Sequence, residues 1–520
     1  VPSEPAPSHD VSRTATWWTA LAVTLMGAAL RLSTLNTRSF WLDETTSVRQ
    51  AGWSIQEMLA WAAHNVHPPL FHTLLHFWMV AFGRSELAVR GFAVTWGIVA
   101  IPLVYWAARA FYDRRTALFA TAIVALSPFF IWYAQEARMY TMMLVFALLS
   151  TGAMWRALDR RRGGWWVLYA LATGAGLMTQ YFFVFLVIGQ ALYLLLHREH
   201  RRARPILGWV AAMAGAALPY VWWAPRVLAH PELLRGVSGA FDYGGTPPVL
   251  AVHFNEMILV PIQWAFGFHS ELTTRNLVAM WPLLITVVFL SVGLARRVSP
   301  RTWFLIASGV GGATAVTLLG LWQPIVLEAR YYTALTVPLV ILSARAIAAV
   351  SPTSRRALVA VLLVVAAVSW TDQSFNPDSV VKWDNRAAMG IVADGFEPGD
   401  TILLIPYFVT SIPEYYLPSE AYAAVRQVPS FDAKGQPRNT PSKLGEDLDR
   451  QVGPSRRVWI VATWQELPRM ELDRTLTTQW LLGQGFVQKG DWPLRRIRVT
   501  LFEIGRQRGF FLPRTRGVTP

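Results

Sequence analysis

The chain has 520 residues, 53% of them hydrophobic and only 15% charged, with a formal net charge of +15, 25 Trp and no Cys. Soluble domains carry about 25% charged residues, so a wholly soluble chain is excluded, and the absence of Cys excludes disulfides and Cys-ligated metals. The length allows two domains. The arginines gather in short links between apolar runs, where topology control explains the basic balance and no nucleic-acid partner is needed.

Residues 1–14 are polar and Pro-containing, show no signal-peptide pattern, and read as a cytoplasmic tail. Apolar runs long enough to span a bilayer with some tilt follow near 15–34, 89–110, 116–134, 140–156, 164–179, 181–197, 205–224, 277–295, 302–321, 332–350 and 356–371. They make eleven predicted transmembrane helices. Alternate connections carry Arg114-Arg115, Arg156 with Arg160 to Arg162, Arg198 with Arg201, Arg202 and Arg204, Arg296-Arg297 with Arg301, and Arg355-Arg356. The positive-inside rule places all of these in the cytoplasm, with the N-terminus inside and the C-terminus outside.

Counting residues 68–83 as a further span would send every Arg cluster outward. This run, and Ser54 to Ala63 before it, are therefore read as amphipathic helices at the outer interface. His72 and His76, spaced i, i+4, turn toward headgroups in that reading. As a metal pair they would need a third ligand that the sequence does not obviously offer.

The predicted outer connections are 35–88, which holds Asp43 and Glu44, then Gln135 to Tyr140, then 225–276 with Asp242 and an apolar run from Val249 to Phe268, then Trp322 to Tyr332. All lie on one face, so they can converge on one cavity. From residue 372 the composition turns polar, and strand-like runs at Thr401–Ile405, Arg457–Ala462 and Arg498–Glu503 alternate with helical patterns such as Asn385–Gly395. That alternation predicts an α/β domain over 372–520, outside the membrane, with 430–445 as a loose loop.

Carboxylates are costly in lipid and useless as anchors, so Asp43 and Glu44 beside a membrane face are functional candidates by default. With Glu136, Arg138, Glu328, Arg330 and nearby Tyr and Trp, they are suited to moving a sugar off a lipid-linked phosphate. A carboxylate takes the acceptor hydroxyl's proton. Arginines hold the departing phosphate by bidentate, permanently charged contacts. Simpler readings stand beside these: Arg138 and Arg330 as snorkelling side chains, His67-Pro68-Pro69 as a helix start, Arg90 as a structural partner of Glu86 one turn earlier.

Trp41-Leu42-Asp43-Glu44, His67-Pro68-Pro69-Leu70, Gly83 to Arg90, Gln135 to Tyr140 and Arg330-Tyr331 occur in that order. In this the chain resembles the C-type glycosyltransferase superfamily, in the branch of protein O-mannosyltransferases and lipid A aminoarabinose transferases, over roughly residues 15–372. The resemblance implies a multispanning enzyme of a bacterial plasma membrane. It would use a polyprenyl-phosphate sugar and invert the anomeric centre on the extracytoplasmic side. Acceptors would be a cell-envelope glycan, lipid or protein. It implies Asp43 as base, Glu44 as its support, and substrate contacts from His67, Glu136, Arg138, Tyr140, Glu328, Arg330 and Tyr331. No metal site or cofactor is assigned, and divalent-metal use, which varies in the superfamily, stays open.

The chain departs from the aminoarabinose branch at His67-Pro68, where that branch has an acidic-basic pair, and at Arg138, where it has a carboxylate. Mannose is the first expectation for the sugar, arabinofuranose or aminoarabinose the alternatives. A lipid-linked sugar transporter or flippase is the reading from another class. It would show internal repeats and mid-span charges, whereas here the acids gather at one face. A non-catalytic glycan sensor is a third.

Overall fold

The computed structural model describes residues 13–64, 67–198, 200–229, 298–322, 329–376, 383–406, 409–428, 441–463 and 468–505. The predicted span 277–295, Glu328, Asp242 and the run Val249 to Phe268 lie outside the described residues. The chain forms two compact units. One comprises residues 1–38 and 47–381, the other Ser39–Thr46 with residues 382–520.

The first unit is helical. Helix α1 spans Arg13–Ser33, and α3 (Ile55–Ala63) and α4 (Leu70–Phe82) follow in the first long loop. Then come α5 (Glu86–Phe111), α6 (Arg114–Leu126), α7 (Pro128–Ala134), α8 (Tyr140–Arg160), α9 (Gly163–Thr179), α10 (Phe183–Leu196) and α11 (Ala203–Leu228). Beyond the next described stretch are α12 (Pro300–Ile306), α13 (Gly312–Trp322), α14 (Thr333–Ala349) and α15 (Pro352–Phe375).

Among the described residues six helical stretches are long and apolar enough to cross a membrane, and α6 with α7, bent by 56°, make a seventh. The helices over 164–179 and 181–197 are in place but shorter, at 17 and 14 residues. The polytopic helical architecture expected from the sequence is therefore present. Ser54 caps α3 through a full capping box with Glu57, and Pro69 precedes α4; both helices of the first loop begin where the sequence places them.

The bend between α6 and α7 has a local cause. Pro128 opens α7 and holds Ser127 extended, so α6 must stop with its last carbonyls unpaired. Arg31 of α1, fully buried, supplies the missing donors, to Ala125 O at 2.9 Å and Val124 O at 2.7 Å, and also bonds Gly27 O at 2.9 Å. Gly97 of α5 makes room for this: a Cβ there would stand 2.7 Å from the Ala134 Cβ and 3.4 Å from Arg31 Nε. Arg156 departs from its expected place in a cytoplasmic link. It lies buried within α8, stacks on the Trp106 ring at 3.9 Å and donates to Trp106 O at 2.6 Å, because an aromatic face and a backbone carbonyl satisfy a guanidinium as well as headgroups do.

The second unit is an α/β sheet of five strands in the order β2-β1-β3-β5-β4. Its strands are β1 (Thr401–Ile405), β2 (Val425–Gln427), β3 (Arg457–Thr463), β4 (Phe486–Leu494) and β5 (Ile497–Ile504). β1 pairs in parallel with β2 and with β3, while β5 runs antiparallel to β3 and β4. All five residues of β1 are buried, as expected for a central parallel strand covered on both faces. The helix α16 spans Asn385–Gly395, as its sequence pattern predicts, and packs with Trp459, Val461 and Val499 around one core. The predicted loop 430–445 is overtaken at Pro441, where a helix to Val452 begins; Pro is well suited to a first helical turn.

Candidate active site

In the helical unit, the turn after α7 carries Glu136 and Arg138 at its tip, and the residues before α4 carry His67. Glu136 is buried and accepts from the Trp132 indole at 2.8 Å. Arg138, also buried, donates from Nη2 to His67 Nε2 at 3.2 Å and from Nη1 to Ser47 Oγ at 3.2 Å. A guanidinium can only donate. The bond therefore makes Nε2 the acceptor and leaves the imidazole proton on Nδ1, which is buried with no hydrogen-bond partner among the described residues.

Burial, then the charges of Arg138 and Arg330, push the His67 pKa down to about 3. His67 is thus a neutral ring beside two permanent cations. His72 lies with its ring centroid 6.4 Å from that of His67, buried, and neither of its nitrogens has a hydrogen-bond partner among the described residues. Its expected turn toward headgroups is overturned, since the ring packs against Phe71 and Trp61 instead. His76, in contrast, bonds the Ala51 carbonyl at 2.8 Å.

Arg330 sits in a short 3-10 turn before α14 and lies 5.5 Å from the Tyr331 ring centroid. Tyr331 stacks on Phe182 at 5.1 Å. Tyr140 is fully buried and packs edge-on to Tyr133 at 5.1 Å, so its place is in the helix core. The expected pairing of Arg90 with Glu86 is present at 3.7 Å, and Arg90 also donates to the carbonyls of Leu35 and Arg38 at 3.0 and 2.7 Å. Arg90 thereby ties down the chain as it leaves α1. Of the predicted substrate contacts, then, the structure brings together His67, Arg138 and Arg330. Ser47 joins them unforeseen, and only its position four residues after Asp43 hinted at it.

Asp43 and Glu44 belong to the second unit. Within the predicted outer connection 35–88 they lie in the first turn of a helix, α2 (Leu42–Ala51). The reason is local: Glu44 reaches back to accept from the Trp41 N–H at 3.3 Å, meeting a donor that a helix start leaves open. Glu44 is completely buried, whereas Asp43 is half-buried. Among the described residues no three His, Cys, Asp or Glu side chains stand together as a metal site.

Helical spans and an α/β unit make this a polytopic membrane protein with a cationic cluster among its helices, and the superpositions below give it the fold of C-type glycosyltransferases. Comparison with known proteins agrees, and the resemblance read from the sequence is borne out. A profile described as Dolichyl-phosphate-mannose-protein mannosyltransferase matches residues 66–223. The undecaprenyl phosphate-alpha-4-amino-4-deoxy-L-arabinose arabinosyl transferase 1 of Pseudomonas fluorescens is 28% identical over 273 residues, which are 49% of this chain and 42% of that relative. The chain thus matches less than half the length of that relative.

Among solved structures, ArnT from Cupriavidus metallidurans in the apo state superposes with a TM-score of 0.56 at 13% identity, over 94% of this chain and 98% of that one. The oligosaccharyltransferase of Archaeoglobus fulgidus, tethered with an acceptor peptide, superposes with a TM-score of 0.55 at 13% identity, over 90% of this chain and 72% of that one. A second structure of the Cupriavidus protein, bound to undecaprenyl phosphate, gives a TM-score of 0.53 at 13% identity, over 94% and 98% of the two chains. Identities this low speak for the fold alone.

Proposed function

We propose that this chain is a membrane glycosyltransferase that moves a sugar from a polyprenyl-phosphate donor to a cell-envelope glycan, lipid or protein acceptor. One observation carries the reading: a buried imidazole N–H, on His67, has no acceptor among the described residues and lies near the charges of Arg138 and Arg330. Buried donors are nearly always satisfied, and two guanidinium groups with an open N–H are what a phosphate anion would complete. The fold supports a lipid-linked donor, since one structural neighbour was solved with undecaprenyl phosphate bound.

In this mechanism Arg138 and Arg330 hold the donor phosphate, and His67 donates its Nδ1 proton as a hydrogen bond without giving it up. Asp43 accepts the proton of the acceptor hydroxyl as that oxygen bonds to the anomeric carbon. The bond from that carbon to the phosphate oxygen breaks with inversion, and polyprenyl phosphate leaves as an anion. The positive-inside rule, applied to the Arg-bearing links, supports an extracytoplasmic location for this chemistry and for residues 372–520.

Mannose is the proposed sugar, supported by the profile over residues 66–223. Aminoarabinose is the second reading, supported by the name of the Pseudomonas relative. Purified protein in lipid nanodiscs, given either polyprenyl-phosphate sugar in labelled form with extracted envelope acceptors, decides between them. Transfer from neither donor would count against the proposal.

A further inference from the structure

We infer that Asn385 and Tyr416 are positioning residues that hold the Asp43-bearing segment, so that the C-terminal unit orients the base. The inference rests on the reading of Asp43 given above. Ser39–Thr46 folds within the same unit as residues 382–520, and its polar groups find partners 344 to 376 residues away. The Asn385 amide donates from Nδ2 to Phe40 O at 2.8 Å, and the Tyr416 hydroxyl accepts from the Phe40 N–H at 2.7 Å. Ser39 Oγ donates to Trp383 O at 2.7 Å and accepts from Asn385 N–H at 3.1 Å. Thr45 Oγ1 and Ser411 Oγ bond at 2.8 Å.

The place in the sheet is telling. β1 lies between β2 and β3 and runs parallel to both, so the order of connections reverses beside it. In open α/β sheets the crevice outside the carboxyl ends of such strands is where ligands bind. Here Leu42 lines that crevice with Trp383, Asn385, Val409, Ile412 and Thr463. The segment's own Leu42 thus forms part of the crevice wall.

A tether for stability alone would need only its apolar anchors. Phe40 is fully buried against Tyr415 at 5.1 Å, and Trp41 stacks on Trp383 at 6.4 Å. The hydrogen bonds instead grip both backbone groups of Phe40, two residues before α2 begins, and so fix the direction in which the first turn with Asp43 leaves. Catalytic groups need such support, because a misplacement of about 1 Å costs on the order of 10²-fold in rate.

The test uses the full chain in nanodiscs. Asn385→Ala should raise amide exchange over residues 39–46 and lower turnover by roughly 10–100-fold, with undecaprenyl phosphate affinity unchanged. Turnover is read as undecaprenyl phosphate released from lipid-linked sugars of the host's own membranes. Tyr416→Phe removes one hydroxyl, keeps the ring, and should act in the same direction if Asn385→Ala does not fold. Unchanged exchange over 39–46, or faster exchange with turnover within about two-fold of wild type against that expected loss, overturns the inference. Asp43→Asn, run in parallel, separates the two readings: if it turns over normally the base assignment has failed, while the exchange data still report whether Asn385 holds the segment.

Discussion

Arg138 donates to His67 Nε2 at 3.2 Å, and this bond holds His67 as a neutral ring with its remaining proton on Nδ1. In the proposed donor site, two arginines beside one neutral imidazole suit a phosphate anion. The arginines carry charge at every working pH, so in the proposed mechanism they supply most of the hold on the donor phosphate, and the His67 N–H adds one hydrogen bond.

Arg330→Ala should therefore weaken donor binding, by roughly 2–5 kcal/mol for a truncated charged hydrogen bond. KM for the polyprenyl-phosphate sugar should rise in step. Arg330→Lys should recover only part, since it lacks the planar fork. Calorimetry with undecaprenyl phosphate reads this directly, and wild-type affinity in Arg330→Ala would return the residue to a snorkelling role. Arg138→Ala should lose binding and stability together, because it also bonds Ser47.

His67 gives a pH signature. Its pKa falls from 6.5 to about 3 on folding, so between those values the unfolded chain binds a proton that the folded chain does not. Its contribution is complete above pH 6.5 and is lost as pH falls toward about 3, with a slope of at most about 1.4 kcal/mol per pH unit. His67→Asn keeps an acceptor but cannot titrate. Thermal unfolding midpoints of this variant should depend less steeply on pH below 6.5 than those of the wild type. Parallel curves for the two proteins would mean that the ring protonates freely in the folded chain.

Much of the helical unit was legible because apolar runs of span length admit few other structures. The capping box at Ser54 and Glu57 and the break at Pro128 are likewise local signals, readable from a few neighbouring residues. What could not be read is what depends on distant partners. Nothing around Arg31 says that its guanidinium closes the end of α6, 93 residues on. Ser39 to Thr46 reads as part of a first outer loop, yet folds with Trp383, Asn385, Ser411 and Tyr416. Asp43-Glu44 looked like a loop because two acids and no apolar period mark no helix; the cap that Glu44 provides is visible only in three dimensions.

Arg31 itself makes a fold prediction. Arg31→Met keeps the length of the side chain and strands the carbonyls of Val124 and Ala125 in the bend. Each charged hydrogen bond lost costs about 1.5–3 kcal/mol, so the thermal midpoint in detergent should fall clearly. An unchanged midpoint would mean that water replaces the guanidinium and that the bend rests on Pro128 alone.

Topology has its own test. With the Arg-bearing links inside, a reporter active only in the cytoplasm and fused after Pro520 should be silent. Activity there would put residues 372–520 inside and remove the extracytoplasmic placement of the proposed chemistry.

The base is the decisive case. Asp43 and Glu44 stand about 100° apart on one helical turn, so they cannot do the same work. Glu44 is fully buried and caps its own helix through the Trp41 N–H, whereas Asp43 keeps part of its surface open. Asp43→Asn preserves shape and removes the proton acceptor, so turnover should drop by about 10²–10⁴-fold, the usual share of general-base catalysis. Undecaprenyl phosphate affinity should survive, because the arginines are untouched. Glu44→Gln retains an oxygen for the Trp41 N–H and should cost less in turnover, with its main effect on thermal stability. Sugar transfer by the purified variants, beside calorimetry with undecaprenyl phosphate, measures both quantities. If Asp43→Asn works within a few-fold of wild type while Glu44→Gln is dead, the two roles are reversed. If both work, Glu136 becomes the carboxylate to test, despite its bond to the Trp132 indole.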